Sequence, residues 1–206
     1  MTSETYEILA VKYAERMNRL RTESFIMADD HDAPHPIDYF VWVIRNANRT
    51  IVVDTGFDEI EGEKRGRTVL RRPAEALALV GVDAAKVDQV IVTHLHYDHA
   101  GTLGAFPAAK FHLQAAEMAY ATGPCMCHEH FKIPFTAAHV CEMVQNVYSG
   151  RVIFQDGDAE VAPGLTVHKI GGHSRGLQSV RVMTASGPVV LASDATHYYE
   201  NFELGK

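Results

Sequence analysis

The segment Thr93-His94-Leu95-His96-Tyr97-Asp98-His99-Ala100-Gly101 places three histidines and an aspartate within six consecutive positions. Imidazole nitrogens and carboxylate oxygens are donors that a zinc ion accepts, and close spacing holds them ready before an ion arrives. If strand geometry persists through His96, residues two apart share a face, so His94 and His96 point the same way. A tight turn then returns Asp98 and His99 over the same spot. The competing reading is a polar surface loop. With 12 histidines and 12 aspartates in 206 residues, that pattern arises by chance in about two chains per thousand, which decides for a metal site.

Four groups in one loop do not close the spheres of two ions, so further donors must come from elsewhere. His173 projects from Gly171-Gly172-His173-Ser174, between two predicted strands, where paired glycines allow a close backbone approach. Asp194, in Ser193-Asp194-Ala195, ends another predicted strand, where a carboxylate could bridge two cations. Taken singly, each is weak evidence, since a lone loop histidine is usually solvated and a strand-end aspartate usually forms a turn.

The elements that must position these groups follow from periodicity. Tyr6 to Tyr13 alternates as a strand, and the β-branched and aromatic runs Asp38 to Arg45 and Thr50 to Asp54 flank the turn Asn46-Ala47-Asn48-Arg49 as a hairpin. Pro73 to Val80 is a helix stopped by Gly81, and Gln89 to Thr93 is a short buried strand that ends where the histidines begin. A short helix is expected at Ala100 to Ala105, a strand at Lys110 to Leu113 and a helix at Ala115 to Ala121. Thr136 is expected to cap a helix through Tyr148, closed by Gly150. Strands at Val152 to Phe154, Leu165 to Ile170, Gln178 to Thr184 and Pro188 to Ser193 complete the chain. Two strand-rich blocks around a helical middle predict an α/β protein, two sheets face to face with helices outside. Without repeats or linkers, residues 1–206 are expected to form one domain.

Composition narrows the partners. A formal charge of −7 argues against a nucleic-acid backbone, and the densest basic cluster, Lys64-Arg65-Gly66-Arg67 with Arg71-Arg72, reads as a solvated face at the opening of a helix. No apolar run reaches the ~20 residues of a membrane span, and no signal-peptide pattern opens the chain. Three cysteines (Cys125, Cys127, Cys141) make a disulfide framework improbable, so a cytoplasmic protein with reduced thiols is expected.

Val53-Asp54-Thr55-Gly56, His94-Leu95-His96-Tyr97-Asp98-His99, Gly172-His173 and Ser193-Asp194, in this order, resemble the metallo-β-lactamase superfamily. The continuation His99-Ala100-Gly101 and the pair Asp194-Ala195 most resemble its N-acyl homoserine lactonase branch. The resemblance implies an αββα sandwich and two zinc ions: His94, His96 and His173 on the first, Asp98 and His99 on the second, Asp194 bridging. Asp54 would orient the histidine loop. Two ions about 3.5–4 Å apart lower the pKa of a shared water toward neutrality for attack on an ester-like carbonyl, and Asp98 would serve the leaving alkoxide. The implied substrate is a lactone or another ester. Where that branch carries a substrate-touching tyrosine, three residues past the bridging aspartate, this chain has His197. The alternatives are a glyoxalase II-like thioesterase and a non-catalytic metal-binding relative.

Such proteins carry a last histidine ligand well beyond the bridging aspartate, and His197 is too near in sequence to be it. Only 12 residues follow Asp194. The expectations are therefore a chain incomplete at its C-terminus, a weaker second zinc, and exposed apolar sheet surface favouring a homodimer. Cys125-Met126-Cys127-His128-Glu129-His130 is expected to line a lid or pocket rather than a structural metal site. Tyr97 and Phe106 could wall the pocket, though core packing is the more frequent use of such residues. His31, His35, His112, His139 and His168 are expected to be surface or core-edge residues.

Overall fold

The structure, a computed structural model, describes residues 4–25 and 33–206; His31 lies outside them. Strands Glu7–Arg16 (β1) and Ile37–Arg45 (β2) pair antiparallel, and β2 turns into Thr50–Val53 (β3). The Asn46 side-chain Oδ1 fixes that turn by accepting the Asn48 and Arg49 amides at 2.9 and 3.1 Å. Next come Glu59–Arg65 (α1), Thr68–Val69 (β4), Pro73–Leu79 (α2), Gln89–Ile91 (β5), Lys110–Gln114 (β6), Ala115–Ala121 (α3), Glu129–Lys132 (α4), Ala137–Tyr148 (α5) and Val152–Gln155 (β7). One sheet has the order β4-β1-β2-β3-β5-β6-β7, parallel from β3 to β7. Ala159–Ala162 (β8), Leu165–Lys169 (β9), Gln178–Thr184 (β10) and Gly187–Leu191 (β11) form an antiparallel second sheet, and Tyr199–Glu203 (α6) follows.

Side-chain alternation divides the core in two. Ile44, Ile51, Val53 and Ile91 point from the first sheet onto Leu165, Val167, Val180 and Val182 of the second. Their strand neighbours Val43, Val52 and Val90 point the other way, onto Ala76 and Leu77 of α2 and Val140 and Met143 of α5. Each such buried side chain contributes about 1.5–3 kcal/mol of burial. Both faces of β3 and β5 are covered, as parallel strands require.

Most expected elements stand within a residue or two of their predicted bounds. The expected helix at Ala100 to Ala105 does not form; a single 3-10 turn, Leu103–Ala105, stands there. Thr136 precedes α5 but does not cap it: its hydroxyl donates to Glu61 at 2.9 Å. The basic cluster is the larger correction. Lys64 and Arg65 close α1 rather than open a helix. The Arg65 guanidinium lies 3.9 Å over the Tyr97 ring and donates to the buried Glu61 carboxylate at 2.5 Å, while Arg67 Nε donates to the Tyr97 hydroxyl at 3.2 Å. Arg65 and Arg67 are thus spent on holding Tyr97, whereas Lys64, Arg71 and Arg72 are exposed as expected, with Arg72 at the opening of α2. No helix of the described residues is long and apolar enough to cross a membrane.

Candidate metal centre

The ends of β3, β5 and β11 and the loop after β9 converge at one edge of the sandwich. Asp54 follows β3 with φ +62°, a left-handed conformation unusual for a residue with a side chain. Its Oδ1 accepts the Thr93 amide at 2.7 Å and its Oδ2 accepts the Thr93 hydroxyl at 2.9 Å, so the end of β5 is held by the end of β3. Gln178, at the start of β10, ties in the second sheet: its amide donates to Thr93 O at 3.0 Å and its Nε2 to Val92 O at 2.9 Å.

These bonds also assign the ring tautomers. The Thr93 hydroxyl gives its one proton to Asp54 and accepts the Ser193 hydroxyl at 2.9 Å. His94 Nδ1, 3.1 Å from the same oxygen, must therefore donate, which leaves His94 Nε2 bare. That nitrogen is fully buried and has no hydrogen-bond partner, an arrangement that costs about 1–3 kcal/mol unless something accepts its lone pair. His99 is anchored in the same way but differs at its far side: Nδ1 donates to Asp54 Oδ2 at 2.7 Å, and Nε2 faces the carboxylates Asp194 Oδ1 at 3.4 Å and Asp98 Oδ2 at 3.8 Å.

His96 Nδ1 and His173 Nε2 stand 2.9 Å apart. Asp194 Oδ2 lies 3.2 Å from His173 Nε2, 3.1 Å from His197 Nε2 and 3.9 Å from His94 Nε2. Asp194 thus presents one oxygen to the His94–His173 side and the other to His99. Three overlapping donor sets can each hold an ion: His94, His96 and His173; His94, His99 and Asp194; and His173, Asp194 and His197. A divalent ion fits this edge, since the bare, buried His94 nitrogen has no hydrogen-bond partner among the donors gathered there.

Charge is distributed unevenly. Burial, with His99 beside it, holds His94 well below the usual histidine value, and burial with His173 nearby pushes His96 down to about 2. His99 is buried too, which opposes protonation, but Asp194, Asp54 and Asp98 outweigh this and raise it well above the usual range. Burial raises the Asp98 carboxyl. Asp194 is also buried, yet His99, His173 and His197 keep its carboxyl well below the usual value.

Five of the predicted donors, His94, His96, His99, His173 and Asp194, fall in those sets; Asp98 stands beside His99 but in none of them. His197 joins one, so its closeness in sequence to Asp194 does not keep it from being a donor. Gly171 and Gly172 serve backbone conformation, with φ +70° and +87°, and a side chain at Gly172 would meet open space; the close approach expected there is absent. Phe106 is wholly buried core, and Tyr97 is nearly so, held between Arg65 and Phe57. Among the described residues, the Cys125 to His130 stretch forms no donor set. Thr93, Ser193 and Gln178, which organise the edge, carried no sequence signal of their own beyond standing at strand ends.

Fold and site together place a cluster of metal-type donors at one edge of a two-sheet sandwich. The chain belongs to the metallo-beta-lactamase superfamily, whose family model matches residues 36–206. It is 31% identical over 184 residues to an N-acyl homoserine lactonase of a Bacillus species, covering 81% of this chain and 68% of that protein. The N-acyl homoserine lactonase of Bacillus cereus is also 31% identical, over 79% of this chain and 66% of its own length. The chain spans about two thirds of the length of these relatives. Among solved structures, a mutant of Bacillus thuringiensis AiiA with N-decanoyl-L-homoserine bound at its active site superposes with a TM-score of 0.76 at 24% identity. That match covers all of this chain and 81% of the other. AidC, described as a dizinc quorum-quenching lactonase, superposes at 0.65 with 14% identity over 90% and 73% of the two chains, which bears on fold alone.

Proposed function

We propose that this protein opens a lactone ring by hydrolysis, with two zinc ions at the edge formed by His94, His96, Asp98, His99, His173 and Asp194, and that an N-acyl homoserine lactone is the substrate class. The observation that carries the metal is the buried, unpartnered Nε2 of His94 among converging donors. The support for the substrate is the likeness to relatives named as N-acyl homoserine lactonases.

His94, His96 and His173 would hold one ion, Asp98 and His99 the other, with Asp194 offering one oxygen to each. Bound zinc polarises a carbonyl and makes water nucleophilic near neutral pH. The protein's own groups do the rest. Asp54 and Thr93 fix the rings of His94 and His99 so that only one nitrogen of each faces the reaction space. The Asp98 carboxyl, whose Oδ2 lies 3.8 Å from His99 Nε2, would pass a proton to the alkoxide that leaves when the ring opens. His197, one third exposed and bonded to Asp194, faces the outer side of the same edge, where it would orient the substrate carbonyl. It also borders an open cleft of about 450 Å³ where Met17, Ile37 and Phe40 stand beside the charged Lys12, Glu15 and Asp38.

The test is a zinc count on the purified chain beside hydrolysis rates on a panel of homoserine lactones, simple lactones and thioesters. Bound zinc with lactones preferred is the expected result. A thioester turned over faster than every lactone would refute the substrate, and a chain that holds no zinc would refute the centre.

A further inference from the structure

Glu117, the third residue of α3, has no part in the scheme above, yet its carboxylate is completely buried. A buried carboxylate is costly unless hydrogen-bonded, and three donors meet this one. Oε1 accepts the Leu95 amide at 2.9 Å; Oε2 accepts the Gly176 amide at 2.8 Å and the hydroxyl of Ser174, itself buried. All three donors are neutral. Their places in the chain are what matters: Leu95 lies between His94 and His96, and Ser174 follows His173 directly. One carboxylate therefore grips both segments that supply the three-imidazole set. The grip leaves no slack, because a Cβ at Gly176 would lie 2.2 Å from the Glu117 amide nitrogen.

The geometry points to Glu117 as a positioning residue that sets the His94–His96 segment and the His173 segment at the separation zinc requires. The two segments leave different sheets; Gln178 joins those sheets at Thr93 and Val92, and Glu117 bonds the ligand-bearing segments themselves, at Leu95 and Ser174. The role differs from that of Asp54, which fixes ring tautomers on the His94–His99 side, whereas Glu117 fixes the distance across to His173.

This assignment rests on the reading of His94, His96 and His173 as zinc donors. Glu117→Gln keeps the shape but turns an amide toward at least one of the three donors. Zinc affinity, measured by competition with a chromophoric chelator on the folded full chain, should fall 10–100-fold, and the visible spectrum of the cobalt-substituted protein should shift. Ser174→Ala, which removes one donor and leaves the carboxylate, should lose a smaller factor and serves if Glu117→Gln does not fold. Val167→Ala, in the core between the sheets, is the control for general loosening and should leave zinc affinity intact while lowering the melting temperature. Affinity within twofold of the parent in both Glu117→Gln and Ser174→Ala, or an equal loss in Val167→Ala, would overturn the assignment. A parent chain that fails to hold zinc against the chelator would instead overturn the metal reading beneath it.

Discussion

Asp54 is the sharpest place to test how the centre is held, because a single carboxylate accepts three buried donors there: the Thr93 amide, the Thr93 hydroxyl and His99 Nδ1. In Asp54→Asn, the carbonyl oxygen can take the Oδ2 position and keep the hydroxyl and the ring. The amide group then faces the Thr93 N–H, donor against donor. One buried N–H is left unpaired, at about 1–3 kcal/mol, and two charge-assisted bonds become neutral, so the loss should be about 3 kcal/mol. For a chain of this length, that lowers the melting temperature by roughly 6–12 °C. Asparagine tolerates the left-handed backbone at φ +62°, so no strain is added. Asp54→Gly relieves the backbone entirely but supplies no acceptor, and should be the worse variant for the metal. The assay is thermal unfolding of the chelator-treated protein together with zinc competition on the folded protein, where Asp54→Asn should lose about 10–100-fold. Asp54→Gly matching the parent in zinc affinity, or Asp54→Asn melting within a degree or two of it, would refute the reasoning.

His96→Ala should strip zinc from the imidazole side, whereas Asp98→Asn should keep most of that zinc and lose most activity; equal zinc contents and equal residual rates would contradict the division. His197→Ala should mainly raise KM or modestly lower kcat; a fall in zinc content alongside would make His197 a donor through its set with His173 and Asp194. Burial opposes ionisation of Glu61, but Arg65 and Thr136 hydrogen bonds prevail and its carboxyl lies below the ordinary 4.5. A lowered folded pKa means that stability is present above about pH 4.5 and is lost as pH falls through the folded value. The stability gap between the parent and Glu61→Gln, read by urea unfolding, should therefore be wide at pH 7 and narrow toward pH 4; a constant gap would show that the ionised form contributes nothing.

The site was more legible than its supports. Clustered donor types at the end of a β-branched run announce themselves; His173 and Asp194 were ambiguous singly and gained weight only from the order of the four motifs. Strands that alternate or lie buried, such as β2, β3 and β5, were visible for the same reason: burial imposes a period on the sequence. Glu61, Arg65 and Glu117 were not visible. Each is a charged residue whose ordinary place is the surface, and only tertiary packing converts it into a buried partner. Helix α1 escaped likewise, since its buried residues Glu61 and Gly62 form no apolar stripe. Strands β4 and β8, with two and four residues, are too short to show a period.

Two residues with side chains adopt left-handed backbone in the described structure, Asp54 at φ +62° and Ser193 at φ +50°. Both stand at strand ends, and both face Thr93, one accepting its proton and the other donating to its oxygen. A conformation of this kind costs on the order of 1–3 kcal/mol and persists only where surrounding bonds over-determine it. Here the bonds are known: the hydroxyl chain from Ser193 through Thr93 to Asp54 joins the ends of β11, β5 and β3. Ser193 directs Asp194, Thr93 directs His94, and Asp54 directs His99. The strain is thus confined to the two hinges that aim an aspartate and two histidines at one point, while the strands behind them are ordinary. A sheet edge alone would splay these side chains outward. The hydrogen-bond chain turns them back, and it leaves bare, on His94, the one buried nitrogen that a metal ion would satisfy.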